Sequence, residues 1–321
     1  MNEKLENAEL IFKPQPGKQT QFLASKADIV IYGGGAGGGK SYGLSLESLR
    51  YHQVSNATIA FFRRERPRIT NPGGLWDESN KIYPHFCGVP NKQKLKWEFP
   101  SGATISFLSV QYVSDVKKYH GSQILLMLFD ELTEFTEYQF WYLLSRNRSD
   151  TGISGYVRAT CNPDCESWVK ELIGWWIGND GYAMQSRAGV IRYFTRIDDR
   201  IYWGDSVQFL IEKYKVERHH CKSMTFIPAT IEDNQILLQN DPTYISNLKS
   251  LGEVEKQRLL FGNWNIKREG KIFKQQDFML YTIIPSNIHK KVITVDTAQK
   301  TKESNDYTVM QCWGLSNKGI Y

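Results

Sequence analysis

Ile29-Val30-Ile31-Tyr32-Gly33-Gly34-Gly35-Ala36-Gly37-Gly38-Gly39-Lys40-Ser41 packs six glycines into seven consecutive positions, between an apolar run and a Lys-Ser pair. Gly34 to Ser41 fits G-x-x-x-x-G-K-S/T, the spacing of a phosphate-binding loop. Glycine tolerates positive φ and lets backbone approach a phosphate closely. Gly34, Gly35, Gly37, Gly38 and Gly39 are therefore candidates for an anion-binding nest of inward N–H groups. In such a loop Lys40 reaches the β- and γ-phosphates and the Ser41 hydroxyl ligates Mg2+. Ile29 to Tyr32 predicts a buried strand before the loop. Leu44, Leu46 and Leu49 predict a helix after it, with its N-terminus at the phosphates.

A loop of this kind calls for an acidic strand. Ile124 to Phe129 is apolar throughout and ends in Asp130-Glu131. That predicts a central parallel strand, buried on both faces and neighbouring the strand of the loop. Asp130 would emerge at its carboxyl end, where doubly wound sheets bind ligands. There Asp130 would hold Mg2+ through water, and Glu131 would orient and deprotonate an attacking water. The acidic doublet favours hydrolysis over transfer to a metabolite. The Asn-Lys-x-Asp base reader of GTPases is absent, since the Asn-Lys pairs at Asn91 and Asn317 continue as Gln-Lys and Gly-Ile. Tyr156 to Thr160 predicts a short strand running into Cys161-Asn162-Pro163. Thr160 and Asn162 are candidates for sensing the γ-phosphate, against the plainer reading of Asn-Pro as a turn.

The 321 residues, 41% hydrophobic and 13% aromatic, exclude a disordered chain and suffice for one large or two ordinary domains. A net charge of +6 tilts toward an anionic partner. Five cysteines without a CxxC pair read as reduced thiols. Neither Cys161/Cys165 nor His219-His220-Cys221 has the further ligands of a zinc site. The charged N-terminus has no signal-peptide core, and no apolar run approaches a membrane span. Trp97 to Phe107 predicts a hairpin around Pro100-Ser101-Gly102 at a sheet edge. Trp141-Tyr142 and Trp175-Trp176 fall in apolar stripes and read as core.

In this order the motifs resemble the large terminase subunit of tailed bacteriophages, the motor that pumps DNA into a procapsid. The resemblance rests on Lys13 to Ser41, Leu125 to Phe135, Ala159 to Ile173, Ser223 to Asn234, Asp241 to Asn265 and Lys291 to Gly314. It implies an α/β P-loop NTPase with a mainly parallel sheet flanked by helices over residues 1–266, including a small helical subdomain at about 205–265. A linker over 267–289 and the first strands of a ribonuclease H-like nuclease over 290–321 would follow. The implied cofactors are ATP and Mg2+, with Gln19 in the place of the family's adenine reader. The implied partners are double-stranded DNA, the small terminase subunit and the portal of the procapsid, with a homo-oligomeric ring formed on the portal. The implied setting is the host cytoplasm, without a membrane.

The same resemblance makes Asp296 and Asp306 metal ligands of a two-metal nuclease. About thirty residues cannot bury an independent core, so DNA cutting is expected only of a longer form. Arg63, Arg64 and Arg66, in Phe61 to Arg68, are candidates for DNA phosphate contact or for a finger reaching a neighbouring subunit's nucleotide; a solvated loop is the equal alternative. A motor indifferent to sequence needs phosphate contacts rather than base readout. His120 stands where relatives often carry arginine, so Lys117, Lys118 or the Arg63-Arg64 pair could take the finger's part. Two other functions fit the same residues, a helicase-like duplex-remodelling ATPase and a nucleotide-gated assembly factor without productive hydrolysis.

Overall fold

The computed structural model describes residues 12–267, 287–297, 309–317 and 319–320. They fall into two compact units, Met1–Arg268 and Glu269–Tyr321.

The first unit is built on a ten-stranded sheet. Its strands are β1 (Ile29–Gly34), β2 (Thr58–Arg63), β3 (Val89–Asn91), β4 (Lys96–Glu98), β5 (Thr104–Ser109), β6 (Leu126–Phe129), β7 (Tyr156–Cys161), β8 (Arg192–Ile197), β9 (Arg200–Gly204) and β10 (Cys221–Ala229). Their order across the sheet is β3-β4-β5-β2-β6-β7-β1-β10-β8-β9. The six from β5 to β10 run parallel, with antiparallel additions at both edges.

β1, β6 and β7 are buried along their whole lengths. That is why they read as continuous apolar runs: helices cover both faces of a parallel sheet. Side-chain alternation divides the core into two layers. Val30, Tyr32, Phe61, Leu126 and Leu128 pack on one face, and Ile29, Ile31, Met127, Phe129 and Phe226 on the other. The hairpin expected between Trp97 and Phe107 is present as β4 and β5, with Gly102 at φ +85 in its turn. Trp141 and Trp176 are buried as expected, while Trp175 is half-buried under the guanidinium groups of Arg187 and Arg192.

Two expectations need correction. The acidic strand β6 is not the neighbour of β1, because β7 lies between them and pairs with both. All six residues of β7 are buried, so this short strand has the character of a central one. Second, 205–265 is not a purely helical region. Cys221–Ala229 is β10, whose residues Met224 to Ala229 pair in parallel with β1 and are buried. The helices that follow β10 are Gln235–Asn240, Thr243–Lys249 and Glu253–Leu259. They close a small core of Ile231, Leu248 and Leu260 against Ala36 of the glycine loop.

The second unit contains an antiparallel sheet of β11 (Ile288–Asp296), β12 (Val309–Ser316) and β13 (Gly319–Ile320). Asp296 is the last residue of β11, and Asp306 lies outside the described residues. No helix among the described residues is long and apolar enough to cross a membrane.

Candidate active site

The glycine loop leaves the carboxyl end of β1 and enters the helix Lys40–Ser48 through Gly39, whose φ is +71. Phosphate approach is the reason the motif suggests for its glycines; packing is one that the motif did not disclose. A Cβ on Gly34 would lie 2.2 Å from the Ala229 carbonyl oxygen, and one on Gly35 would lie 2.7 Å from that of Leu259. The loop's outer side is thus closed by β10 and by the end of the helix Glu253–Leu259. Ala36 N–H donates to Leu259 O at 2.6 Å.

Protein donors also hold the carbonyls of the loop. Asn234 Nδ2 donates to Gly37 O at 2.7 Å, Tyr32 Oη to Gly38 O at 3.1 Å and Gln19 Nε2 to Gly39 O at 2.9 Å. Lys40 Nζ donates to Gly35 O at 2.5 Å and to Asn162 Oδ1 at 3.1 Å.

Asp130 and Glu131 follow β6 directly. Asp130 Oδ1 accepts from Thr160 Oγ1 at 2.7 Å and stands 3.5 Å from Ser41 Oγ. Its Oδ2 lies 3.2 Å from Arg63 Nε. Glu131 has a left-handed backbone at φ +59, rare for a side chain of this kind. Its two oxygens accept from one residue, Oε1 from Asn162 Nδ2 at 2.7 Å and Oε2 from Asn162 N–H at 3.2 Å. The intervening β7 and the residue that follows it therefore supply the groups between the glycine loop and the carboxylates: Thr160 of β7 holds Asp130, and Asn162, just past its end, bridges Lys40 to Glu131.

Burial pushes the Glu131 carboxyl above its ordinary value, and the neighbouring Asp130 charge adds to this; Lys40, Arg63 and the Asn162 N–H oppose it. Burial pushes Lys40 down, against the pull of Glu131. Each group thereby depends on the other to stay charged.

The expected loop residues Gly34, Gly35, Gly37, Gly38, Gly39, Lys40 and Ser41 lie together with Asp130, Glu131, Thr160 and Asn162. Ala36 to Tyr42, Glu131, Asn162 and Asn234 line a cavity of about 240 Å³. The arginines do not act as a set. Arg63 faces Asp130 and Glu134 of its own chain, Arg64 donates to Gln139, and exposed Arg66 lines a separate surface cleft of about 850 Å³ with Lys81 and Lys92. Gln19 is buried against the loop. Asn234 was not singled out from sequence. The only local sign of Asn234 was its place before the helix Gln235–Asn240, which it caps.

Residues 31–280 match the family described as "Terminase large subunit, T4likevirus-type, N-terminal". No curated protein matches the chain. Among solved structures, the large terminase of the thermophilic bacteriophage D6E superposes with a TM-score of 0.55 at 16% identity, covering 96% of this chain and 67% of that one. A second structure of the D6E protein, in complex with ADP, gives a TM-score of 0.52 at 16% identity over 95% and 66% of the two chains. The chain thus spans about two thirds of the length of the D6E protein and shares its fold.

Proposed function

This chain belongs to the terminase large-subunit family, and from that premise we propose that it hydrolyses ATP to drive double-stranded DNA into a viral procapsid. The observation that carries the proposal is Asn162, bonded at once to Lys40 of the glycine loop and to Glu131.

Lys40 and the loop amides would bind the triphosphate. Ser41 Oγ and Asp130 Oδ1, 3.5 Å apart, are hard oxygen donors facing one another and fit Mg2+. When bound, Mg2+ would neutralise developing charge on the phosphates. Glu131 is the base: it orients water and takes its proton, and a carboxylate raised by burial is better suited to that task than an exposed one. Asn162 holds both carboxylate oxygens of Glu131, and Thr160 holds Asp130 from the strand that Asn162 follows. Movement of Lys40 onto a phosphate would release its bond to Asn162, so β7 is suited to pass the state of the nucleotide onward.

DNA, the small subunit and the portal are the proposed partners, in the host cytoplasm, with a ring forming on the portal. Arg66 and its cleft are better placed for DNA phosphates than Arg63. Asp296 and Asp306 are proposed metal ligands of a nuclease within the proposed region 290–321, joined by a linker over 267–289 to an ATPase domain over 1–266. Steady-state ATP hydrolysis with and without duplex DNA tests the proposal. Stimulation by duplex without strand separation on forked DNA is the expected result, and separation of the fork would favour the helicase-like alternative.

A further inference from the structure

Arg63 closes β2 beside the acidic doublet, and its guanidinium lies between two carboxylates. Its Nε is 3.2 Å from Asp130 Oδ2, and its Nη1 is 3.8 Å from Glu134 Oε2. Both nitrogens and Glu134 Oε2 are shut off from solvent, yet none of the three completes a hydrogen bond among the described residues. Arg68 holds the other oxygen of Glu134, Oε1. A buried donor and a buried acceptor thus face one another about 1 Å beyond bonding distance.

Asp130 is 3% exposed, and a buried carboxylate needs a counter-charge. Thr160 and Ser41 are neutral and face only its Oδ1, so Arg63 is the cation paired with it. An ion pair without a directional hydrogen bond is held by charge alone, and a stronger charge can take over either partner. A dication at Asp130 would repel the guanidinium, and Glu134 Oε2 offers it an acceptor on its other side. We propose that Arg63 is a stand-in cation for Asp130, which gives this carboxylate up when Mg2+ binds there and completes its bond to Glu134 instead. The proposal rests on the reading of Asp130 as a holder of Mg2+. It makes Arg63 and Glu134 positioning residues of opposite effect: Arg63 competes with the metal, and Glu134 relieves the competition.

Titration calorimetry of the whole chain with the non-hydrolysable β,γ-imido analogue of ATP, in Mg2+ and in EDTA, tests it. The quantity read is the ratio of the two affinities, which is the gain the metal brings. Arg63→Gln raises this ratio about fivefold or more, the lower end of a typical coupling between two sites. Glu134→Gln lowers it by a similar factor. The double variant behaves as Arg63→Gln alone, since Glu134 acts only through Arg63. A merely structural pair would not give opposite signs, because damage to packing weakens binding in both media. Glu134→Gln, at a side chain 28% exposed, carries the test by itself if Arg63→Gln fails to fold. A ratio left unchanged by both variants, or moved the same way by both, would overturn the proposal. A wild-type chain that binds the analogue equally well in both media would instead overturn the reading of Asp130 as a metal holder, and the proposal with it.

Discussion

Both carboxylate oxygens of Glu131 are held by Asn162, one through its side-chain amide at 2.7 Å and the other through its backbone N–H at 3.2 Å. A carboxylate held at two points is fixed in direction as well as position. Asn162→Ala removes the shorter bond and the link to Lys40. The expected outcome is a fall in kcat of roughly 10- to 100-fold, the scale of a misoriented general base, with a much smaller change in KM. Asn162→Asp, which sets a carboxylate against a carboxylate, loses more. Steady-state kinetics of the two variants decide this.

Arg63 is expected to answer to stability and Arg66 to duplex DNA. Arg63→Ala strips Asp130 Oδ2 of its partner at 3.2 Å, leaving Thr160 on Oδ1, and takes a cation from beside Glu134. The cost is roughly 1–3 kcal/mol, the range for leaving a buried polar group unpaired, read as a lowered melting temperature. Exposed Arg66 has no comparable role, so Arg66→Ala leaves the melting temperature alone. It instead weakens duplex binding and lessens its salt dependence. A loss of DNA affinity in Arg63→Ala at unchanged stability would reverse the assignment.

Packing by itself forbids side chains in parts of the loop. Gly34→Ala must bring a Cβ to within 2.2 Å of Ala229 O at a φ of +133. A loss of more than about 3 kcal/mol is expected, from strain and overpacking together. Gly73, at φ +75 with nothing within 4 Å of its added Cβ, is the control. Gly73→Ala costs only the roughly 1–2 kcal/mol of a left-handed residue. Thermal melts without nucleotide compare the two.

The Glu131 carboxyl is raised above its ordinary 4.5, first by burial and then by Asp130. Between that value and the higher folded one, the native chain binds more protons than the unfolded chain. Stability therefore falls as pH rises through this window and levels off above it. Glu131→Gln has no such group. Its stability relative to wild type is expected to grow with pH from about 4.5 upward and to show no such trend below. Melting temperatures of both proteins across pH, in Mg2+-free buffer, show whether the sign is right.

What the sequence disclosed follows from local pattern. The strand before the glycine loop and the strand before Asp130-Glu131 were legible because burial on both faces leaves an unbroken apolar run. The grouping of Lys40 and Ser41 with Asp130 and Glu131 was legible because each pair stands in a short, recognisable spacing at the end of an apolar run. Contacts between distant segments were not. Asn234 meets Gly37 across 197 positions, with only the sign of a helix cap beside it. Glu47 looks like a solvent residue of the helix Lys40–Ser48 but is fully buried, held by Arg50 at 3.0 Å and by Tyr156 Oη at 2.8 Å. In sequence β10 reads as part of a helical region because helices follow it closely, although its alternation of Met224, Phe226 and Pro228 faces is that of a strand. The place of β7 between β1 and β6 is a matter of topology, which no single segment encodes.

The central claim is that Glu131 is the base of an ATPase whose nucleotide is held by the Lys40 loop. Its most direct test is paired measurement on Glu131→Gln of ATP affinity and of single-turnover hydrolysis in the presence of Mg2+. The account predicts affinity within a few-fold of wild type and hydrolysis reduced by at least about 100-fold. Hydrolysis at the wild-type rate in that variant, with ATP still bound, would contradict it.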